Sequence, residues 1–542
     1  VRGFQGDLGP ERVLAGPKHF AGYGAALGGR DYDDSDISDS QLWNLYLPPF
    51  QAAVAAGAEN IMSAYMDLNG VPASGNHWLL TEVLRDAFGF GGFVVSDASA
   101  VRSLHTQHFA RDLTDAGARA LSAGLDMEMC FEDAAYSRLP EAVAQGLVTE
   151  EQVDQAVRRV LSIKFRLGLF ENPYVDEAAA EQVLNRGDHR ETSRAAAEKT
   201  LVLLTNNGVL PLAAPASVAV LGPLADLKRD LLGPWIFDHD ETESVTVVEG
   251  IRRRAGDGVE VRYAPGVLPG ERLYPSMFDI QDHGLVTWPD GFDEDAELAR
   301  AVELARASEV AVVVVGQSQN MIGERASAST LELPGRQAEL LEAVVATGTP
   351  TVVLVMSGRP LEVGWAAENA AAVVQIWYPG VRGGEAVAAA LYGDVSPAGR
   401  LPFTWPRSVG QLPMVYNHYR TFQPEAQHER YWDTPSTPLF CFGHGLSYAS
   451  FSYQNLRLEP ASVAVGETTT VSVEVTNTSD READEVVQLY THQRYGDATR
   501  PVRELKGFQR VTLAAGETRT VRLPLGPEQL RYWSARSRDW VQ

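Results

Sequence analysis

The stretch Phe93-Val94-Val95-Ser96-Asp97 decides how this chain folds. Three apolar residues, two of them β-branched, run into Ser and Asp, which describes a short strand covered on both faces and ending in a carboxylate. Working outward, segments of the same kind lie at 12–20, 60–65 and 125–129, with helical patterns such as 41–56 and 78–88 between them. That alternation predicts repeated β/α units on a parallel sheet through residue 171. Lys18-His19, Tyr65 and Asp97 each close one of these strands, the end at which a (β/α)8 barrel carries its chemistry. Four units are visible, and four cannot close such a barrel.

Beyond them, residues 172–200 read as a connector, starting at Asn172-Pro173 and continuing as an Ala-rich, charged helix. A second α/β region follows over 201–415. Its near-continuous apolar runs at 217–221, 310–316, 351–356 and 372–376 are those of strands covered on both faces, and the helical patterns at 295–307 and 335–346 lie between them. Residues 416–450 form an aromatic- and Pro-rich linker. From 451 to 542 the alternation at Val471, Val473 and Val475, with turn signals at 477–480 and 514–516, predicts a small antiparallel sandwich.

Composition narrows the classes of function. The chain of 542 residues is too long for one core, and its balance of 45% hydrophobic and 22% charged residues is that of a globular protein. A net charge of -25 would be repelled by phosphate backbones and anionic lipid, so nucleic acid and membrane surfaces are excluded as expected partners. No apolar run approaches the ~18 residues of a membrane span. Cys130 and Cys441 are too few for a disulfide framework or a cysteine metal site. His105 and His108 lack further ligands nearby, and His283 and His418 stand alone. The start at Val1-Arg2-Gly3 has neither an initiator Met nor a charged-then-apolar leader, so a preceding or removed segment is expected.

Taken residue by residue, the strand ends leave alternatives open. Asp97 is either the cap of the next helix or a nucleophile held on a rigid element. Lys18 and His19 either donate hydrogen bonds to a bound ligand or form a solvated strand end. Tyr65 orients the carboxylate or sits on the rim. Gly316-Gln317-Ser318-Gln319 follows an apolar strand, but no Gly-x-Gly-x-x-Gly or Walker pattern accompanies it, so a structural turn is expected instead of a phosphate loop.

A resemblance joins these residues. Lys18-His19-Phe20-Ala21-Gly22-Tyr23-Gly24, Met62-Ser63-Ala64-Tyr65 with Asn69-Gly70, Leu84-Arg85 with Gly89-Phe90, and Val95-Ser96-Asp97 stand in the order of glycoside hydrolase family 3. So do Leu203-Leu204-Thr205-Asn206, Gly380 through Gly384, Pro397-Ala398-Gly399-Arg400-Leu401-Pro402, Phe442-Gly443-His444-Gly445-Leu446-Ser447-Tyr448 and Leu505-Lys506-Gly507-Phe508. The chain resembles that family along essentially its whole length. The resemblance implies a multidomain α/β architecture: the second half of a (β/α)8-type barrel, an α/β sandwich domain, and a C-terminal fibronectin type III-like β-sandwich.

It also implies a retaining, exo-acting β-glycosidase, first a β-glucosidase and as the alternative a β-xylosidase. Asp97 becomes the nucleophile, and Lys18, His19, Tyr65 and Met62 line the subsite of the non-reducing sugar. The acid/base comes from the second domain at Gly323-Glu324-Arg325, which makes Glu324 the candidate and a solvated loop Glu the alternative. Retention requires the two carboxyls about 5–5.5 Å apart. A carboxyl facing an apolar, sugar-filled cleft would stay protonated to serve the leaving oxygen, while Asp97 among Lys and His donors would stay ionised. No metal or cofactor is implied. The partners are a small β-glucoside or oligosaccharide, and a separate chain or further segment completing the barrel; a homo-oligomer is compatible with the sequence. Polymer-degrading relatives lean towards periplasmic or extracellular sites.

The chain departs from the family at Ala98, where Trp is frequent as a platform for the next sugar; Trp78, Trp235, Trp288, Trp377 and Tyr378 are the aromatics available to replace it. Two further classes fit the sequence less well. A non-catalytic carbohydrate-binding scaffold would be expected to lose its nucleophile, and a nucleotide-dependent α/β enzyme would need the phosphate loop that is missing here.

Overall fold

The structure is a computed structural model that describes residues 1–184, 186–236, 240–276, 288 and 291–542; His283 lies outside the described residues. The chain divides into two compact units. One comprises Val1–Leu184 with Tyr532–Val541, and the other Asn185–Arg531 with Gln542.

In the first unit, β1 (Asn60–Met62) and β2 (Phe93–Val95) pair in parallel, Ile61 opposite Val94. Parallel bridges extend the pairing on both sides, Phe20 to Ser63 and Val95 to Met127, so four extended segments lie side by side in chain order. The segment expected at 12–20 pairs only near its end. Phe20 N donates to Met62 O and Met62 N to Pro17 O, while Pro17, with no N–H, returns no ladder bond. Every residue of β2 is buried. Val94 joins a core with Ile61, Leu79, Leu80, Leu84 and Leu104, and Phe93 and Val95 pack with Ile163 on the other face. Beneath the sheet, the buried Asp126 carboxylate accepts from Arg85 Nη2 at 2.5 Å, Arg159 Nη1 at 2.8 Å and Val94 N at 2.8 Å.

Two segments are shared out between the units. The connector at 172–200 is split: helix Glu177–Leu184 ends the first unit, and helix Gly187–Thr200 opens the second. After the last sandwich strand, which ends at Leu525, a hairpin of Tyr532–Ser534 and Asp539–Val541 groups with the first unit. Asn44 explains the docking: its amide donates to Trp533 O at 3.0 Å while its carbonyl accepts from Trp533 N at 2.9 Å. The Trp540 ring meets Trp43 edge-on at 6.2 Å.

The second unit holds a six-stranded sheet of β3 (Val202–Asn206), β4 (Ser217–Leu221), β5 (Glu260–Ala264), β6 (Val310–Gly316), β7 (Thr351–Met356) and β8 (Ala372–Gln375). The strand order is β3-β8-β7-β6-β4-β5, parallel except where β3 runs against β8. Cores on both faces bury every residue of β6 and β7, which is why both strands read as unbroken apolar runs. The sandwich pairs β9 (Phe451–Glu459), β10 (Thr469–Asn477) and β13 (Thr518–Leu525) in one sheet and β11 (Ala483–Thr491) with β12 (Glu504–Leu513) in the other. Val475, Val487, Val511, Leu513 and Val521 fill the space between them.

Candidate active site

Asp97 leaves the end of β2 at a turn built by its neighbours. Ser96 Oγ donates to Asp97 O at 2.8 Å and accepts Met129 N at 2.9 Å, which ties the turn to the adjacent segment. The next helix, Ala100–Thr106, has Ser99 in left-handed conformation at its N-cap. The Asp97 carboxylate instead accepts from Ala98 N at 2.8 Å, one residue along, so it does not occupy the capping position.

Its other oxygen lies 3.1 Å from His19 Nε2, and the Tyr65 hydroxyl supplies a further hydrogen bond. Burial alone would push the Asp97 carboxyl up. The donors from His19, the Ala98 amide and Tyr65 outweigh it and hold the group below the usual carboxylate range. The result is a buried carboxylate that stays ionised and presents an oxygen at the strand mouth.

The donors are themselves oriented. His19 stacks on Tyr23 with ring centroids 4.9 Å apart, and the Tyr23 hydroxyl donates to Asp31 Oδ1 at 2.5 Å. Tyr65 meets Tyr32 edge-on at 5.3 Å, and Gln107 Nε2 donates to Tyr65 O at 3.1 Å. Tyr23, Tyr32 and Gln107 were not singled out from sequence. Tyr23 lies inside the Lys18–Gly24 motif, which was a usable signal; Gln107 lies far along the chain and gave none.

The remaining candidates fall differently. Lys18 is exposed beside His19. Met62, expected to line the sugar subsite, packs its side chain in the apolar cluster of Phe93, Val95 and Ile163, so the contacts shown for it are core contacts. Of the aromatics considered as replacements for the missing Trp, Trp78 packs against Trp43, Trp377 donates to Thr200 O, and the Tyr378 hydroxyl donates to Gln317 O. These three serve packing and turn structure.

In the second unit, Glu324 is half-buried on the loop that follows β6, between Gly323 at φ 85° and Arg325 at φ 56°. Gly316 starts that loop at φ 146°, where a Cβ would stand 2.0 Å from Met356 O, so only glycine fits. Gln317 Oε1 accepts from Ser357 Oγ at 3.2 Å, and Gln319 N donates to the buried Asp230 carboxylate at 2.5 Å. The segment 316–319 is thus a structural turn, as its sequence implied. Among the described residues there is no group of three or more His, Cys, Asp or Glu able to hold a metal ion, and no helix long and apolar enough to cross a membrane.

An ionised carboxylate held on a rigid element at the mouth of a parallel sheet, with a His and a Tyr donating to it, is equipped for nucleophilic attack on an electrophilic carbon. Residues 1–163 match the glycosyl hydrolase family 3 N-terminal domain, 201–448 the C-terminal domain of that family, and 485–542 a fibronectin type III-like domain. The chain is 38% identical to the periplasmic beta-glucosidase of Salmonella typhimurium, over 98% of this chain and 71% of that protein. It is also 38% identical to a beta-xylosidase of Formosa agariphila, over 98% and 73%. The crystal structure of the Listeria innocua beta-glucosidase in complex with isofagomine superposes with a TM-score of 0.91 at 33% identity, covering 100% of this chain and 74% of that one. The chain belongs to glycoside hydrolase family 3.

Proposed function

We propose that this glycoside hydrolase is a retaining, exo-acting β-glucosidase that removes non-reducing terminal β-D-glucosyl residues, with Asp97 as nucleophile and Glu324 as acid/base. The observation that carries the proposal is the Asp97 carboxylate, buried yet held ionised by three donors at the strand mouth. In the first step an Asp97 oxygen attacks the anomeric carbon as the glycosidic bond breaks, and Glu324 gives its proton to the departing oxygen. In the second, Glu324 takes a proton from water, whose oxygen displaces Asp97 from the glycosyl ester. Two inversions return the β configuration.

His19 and Tyr65 serve twice in this scheme. They keep Asp97 deprotonated, and in this reading they and Lys18 donate hydrogen bonds to sugar hydroxyls. The glucoside specificity takes its support from the relatives named for it, and the Salmonella relative, named periplasmic, supports a periplasmic or extracellular site. A β-xylosidase is the second reading, favoured by an equally similar relative of that name.

The test is release of p-nitrophenol from the β-glucoside and the β-xyloside. A higher kcat/KM on the glucoside supports the first reading, and the reverse order selects the second. Asp97→Ala should lower kcat by about a thousandfold or more on either substrate. Undiminished turnover would remove Asp97 from the nucleophile role.

A further inference from the structure

Two arginines from distant parts of the second unit converge on the loop that carries Glu324. Arg359 belongs to Ser357-Gly358-Arg359-Pro360, directly after β7. Its Nη1 donates to Gln317 Oε1 at 3.0 Å and Met321 O at 2.9 Å, and its Nη2 donates to Ala326 O. Arg272 donates through Nη1 to Asn320 O, through Nη2 to Arg325 O at 3.1 Å, and through Nε to Tyr274 O at 2.9 Å. The main-chain carbonyls at 320 and 321 on one side of Glu324, and at 325 and 326 on the other, are therefore all captured by guanidinium groups.

This arrangement is costly in ways that call for a reason. Arg359 is desolvated, burial lowers its pKa, and the nearby Arg272 charge acts in the same direction. Among the described residues neither arginine forms an ion pair with a carboxylate. What answers the two charges is a set of carbonyls that exists only in one conformation of the loop. A charge-assisted hydrogen bond is stronger than a neutral one, and a planar guanidinium fixes two acceptors at once. At the root of the loop, Arg229 Nε donates to Gln319 Oε1 at 2.7 Å and Asp230 accepts Gln319 N, so the segment is held at its base as well.

We infer that Arg359 and Arg272 are positioning residues for acid/base catalysis: they clamp the main chain on both sides of Glu324 and so fix the direction in which its carboxyl points. The inference rests on the acid/base role proposed for Glu324. It predicts a defect that depends on the leaving group, because a 2,4-dinitrophenolate departs without protonation and a phenolate requires it.

The experiment compares kcat/KM on 2,4-dinitrophenyl and phenyl β-glucosides for the wild-type protein, Arg359→Gln, Arg359→Lys, Arg272→Gln and Glu324→Gln, each checked for an intact thermal transition. Arg359→Gln should lose about 10- to 100-fold on the phenyl glucoside while keeping most of its rate on the dinitrophenyl glucoside. Arg272→Gln should show the same selectivity more weakly, and Arg359→Lys should recover part of the loss. In a Glu324→Gln background, Arg359→Gln should add no further selective loss, because a clamp acts through the group it positions.

Should Arg359→Gln fail to fold, Arg359→Lys and Arg272→Gln carry the same comparison. Parallel losses on the two substrates in the arginine variants, with a selective loss in Glu324→Gln, would overturn the clamp alone. Full phenyl glucoside turnover in Glu324→Gln would instead overturn the acid/base assignment beneath it.

Discussion

Replacing Tyr65 by Phe deletes one hydroxyl and leaves the ring and its edge-on contact with Tyr32 in place. In the native site Asp97 keeps its proton off because donors from His19, the Ala98 amide and Tyr65 overcome the opposing effect of burial. A hydrogen bond to a charged acceptor contributes roughly 1.5–3 kcal/mol, and water at the site mouth reduces that to about 1–2 kcal/mol. Losing a hydrogen bond of that strength to the ionised form means that Tyr65→Phe should raise the Asp97 pKa. The sign follows from the role. A nucleophile must be ionised, so kcat/KM falls as pH drops through the Asp97 pKa in the free protein, and raising that pKa moves the fall to higher pH. The assay is the pH dependence of kcat/KM on p-nitrophenyl β-glucoside, fitted for its acidic limb. An acidic limb that stays where it was in the wild type, or moves to lower pH, would refute the argument that Tyr65 tunes Asp97.

Other perturbations test the support of the site. Asp126→Asn leaves Arg85 and Arg159 facing a neutral amide under β2, and should destabilise the first unit by about 3–5 kcal/mol, read as a lower denaturant midpoint for its transition. Gly316→Ala forces a Cβ to within 2.0 Å of Met356 O at a left-handed φ, so soluble yield or Tm of the second unit should drop sharply; a wild-type Tm would contradict that geometry. Asp230, raised to about 6 by burial against the ordinary 3.8, is protonated more readily in the fold than in the unfolded chain. Its contribution is therefore fully present below the ordinary value and is lost as pH rises through about 6, a difference of about 3 kcal/mol. Thermal stability of the wild type relative to Asp230→Asn should fall across that window, and a constant difference would remove the effect.

Much of the second unit was legible because its strands are covered on both faces: an apolar run such as β6 has few other places to go. The strand β5 was not, since its sequence Glu-Val-Arg-Tyr-Ala is that of a half-exposed edge, and periodicity is weak there. The terminal hairpin was missed for a different reason. Its partners Trp43 and Asn44 lie almost the full chain away, and no local pattern connects them. At the site, local pattern left Asp97 between helix cap and nucleophile; the structure puts Ser99 at the cap and gives Asp97 its own donors. Met62 shared a motif with Tyr65, but Met62 is the last residue of β1 and packs, half-buried, against the cluster of Phe93, Val95 and Ile163, while Tyr65 lies beyond the strand beside Asp97. The arginines that hold the Glu324 loop bind main-chain carbonyls, which carry no signature in the side-chain sequence.

In the proposed mechanism Asp97 forms the covalent link to the sugar. A 2-deoxy-2-fluoro-β-glucosyl fluoride slows turnover of the glycosyl ester enough to trap it, and peptide mass spectrometry of the digested protein locates the label. One fluoroglucosyl group is expected on the peptide containing Ser96-Asp97-Ala98, carried by Asp97 and absent from Asp97→Ala. A label on any other carboxylate, or stoichiometric inactivation of Asp97→Ala, would contradict it.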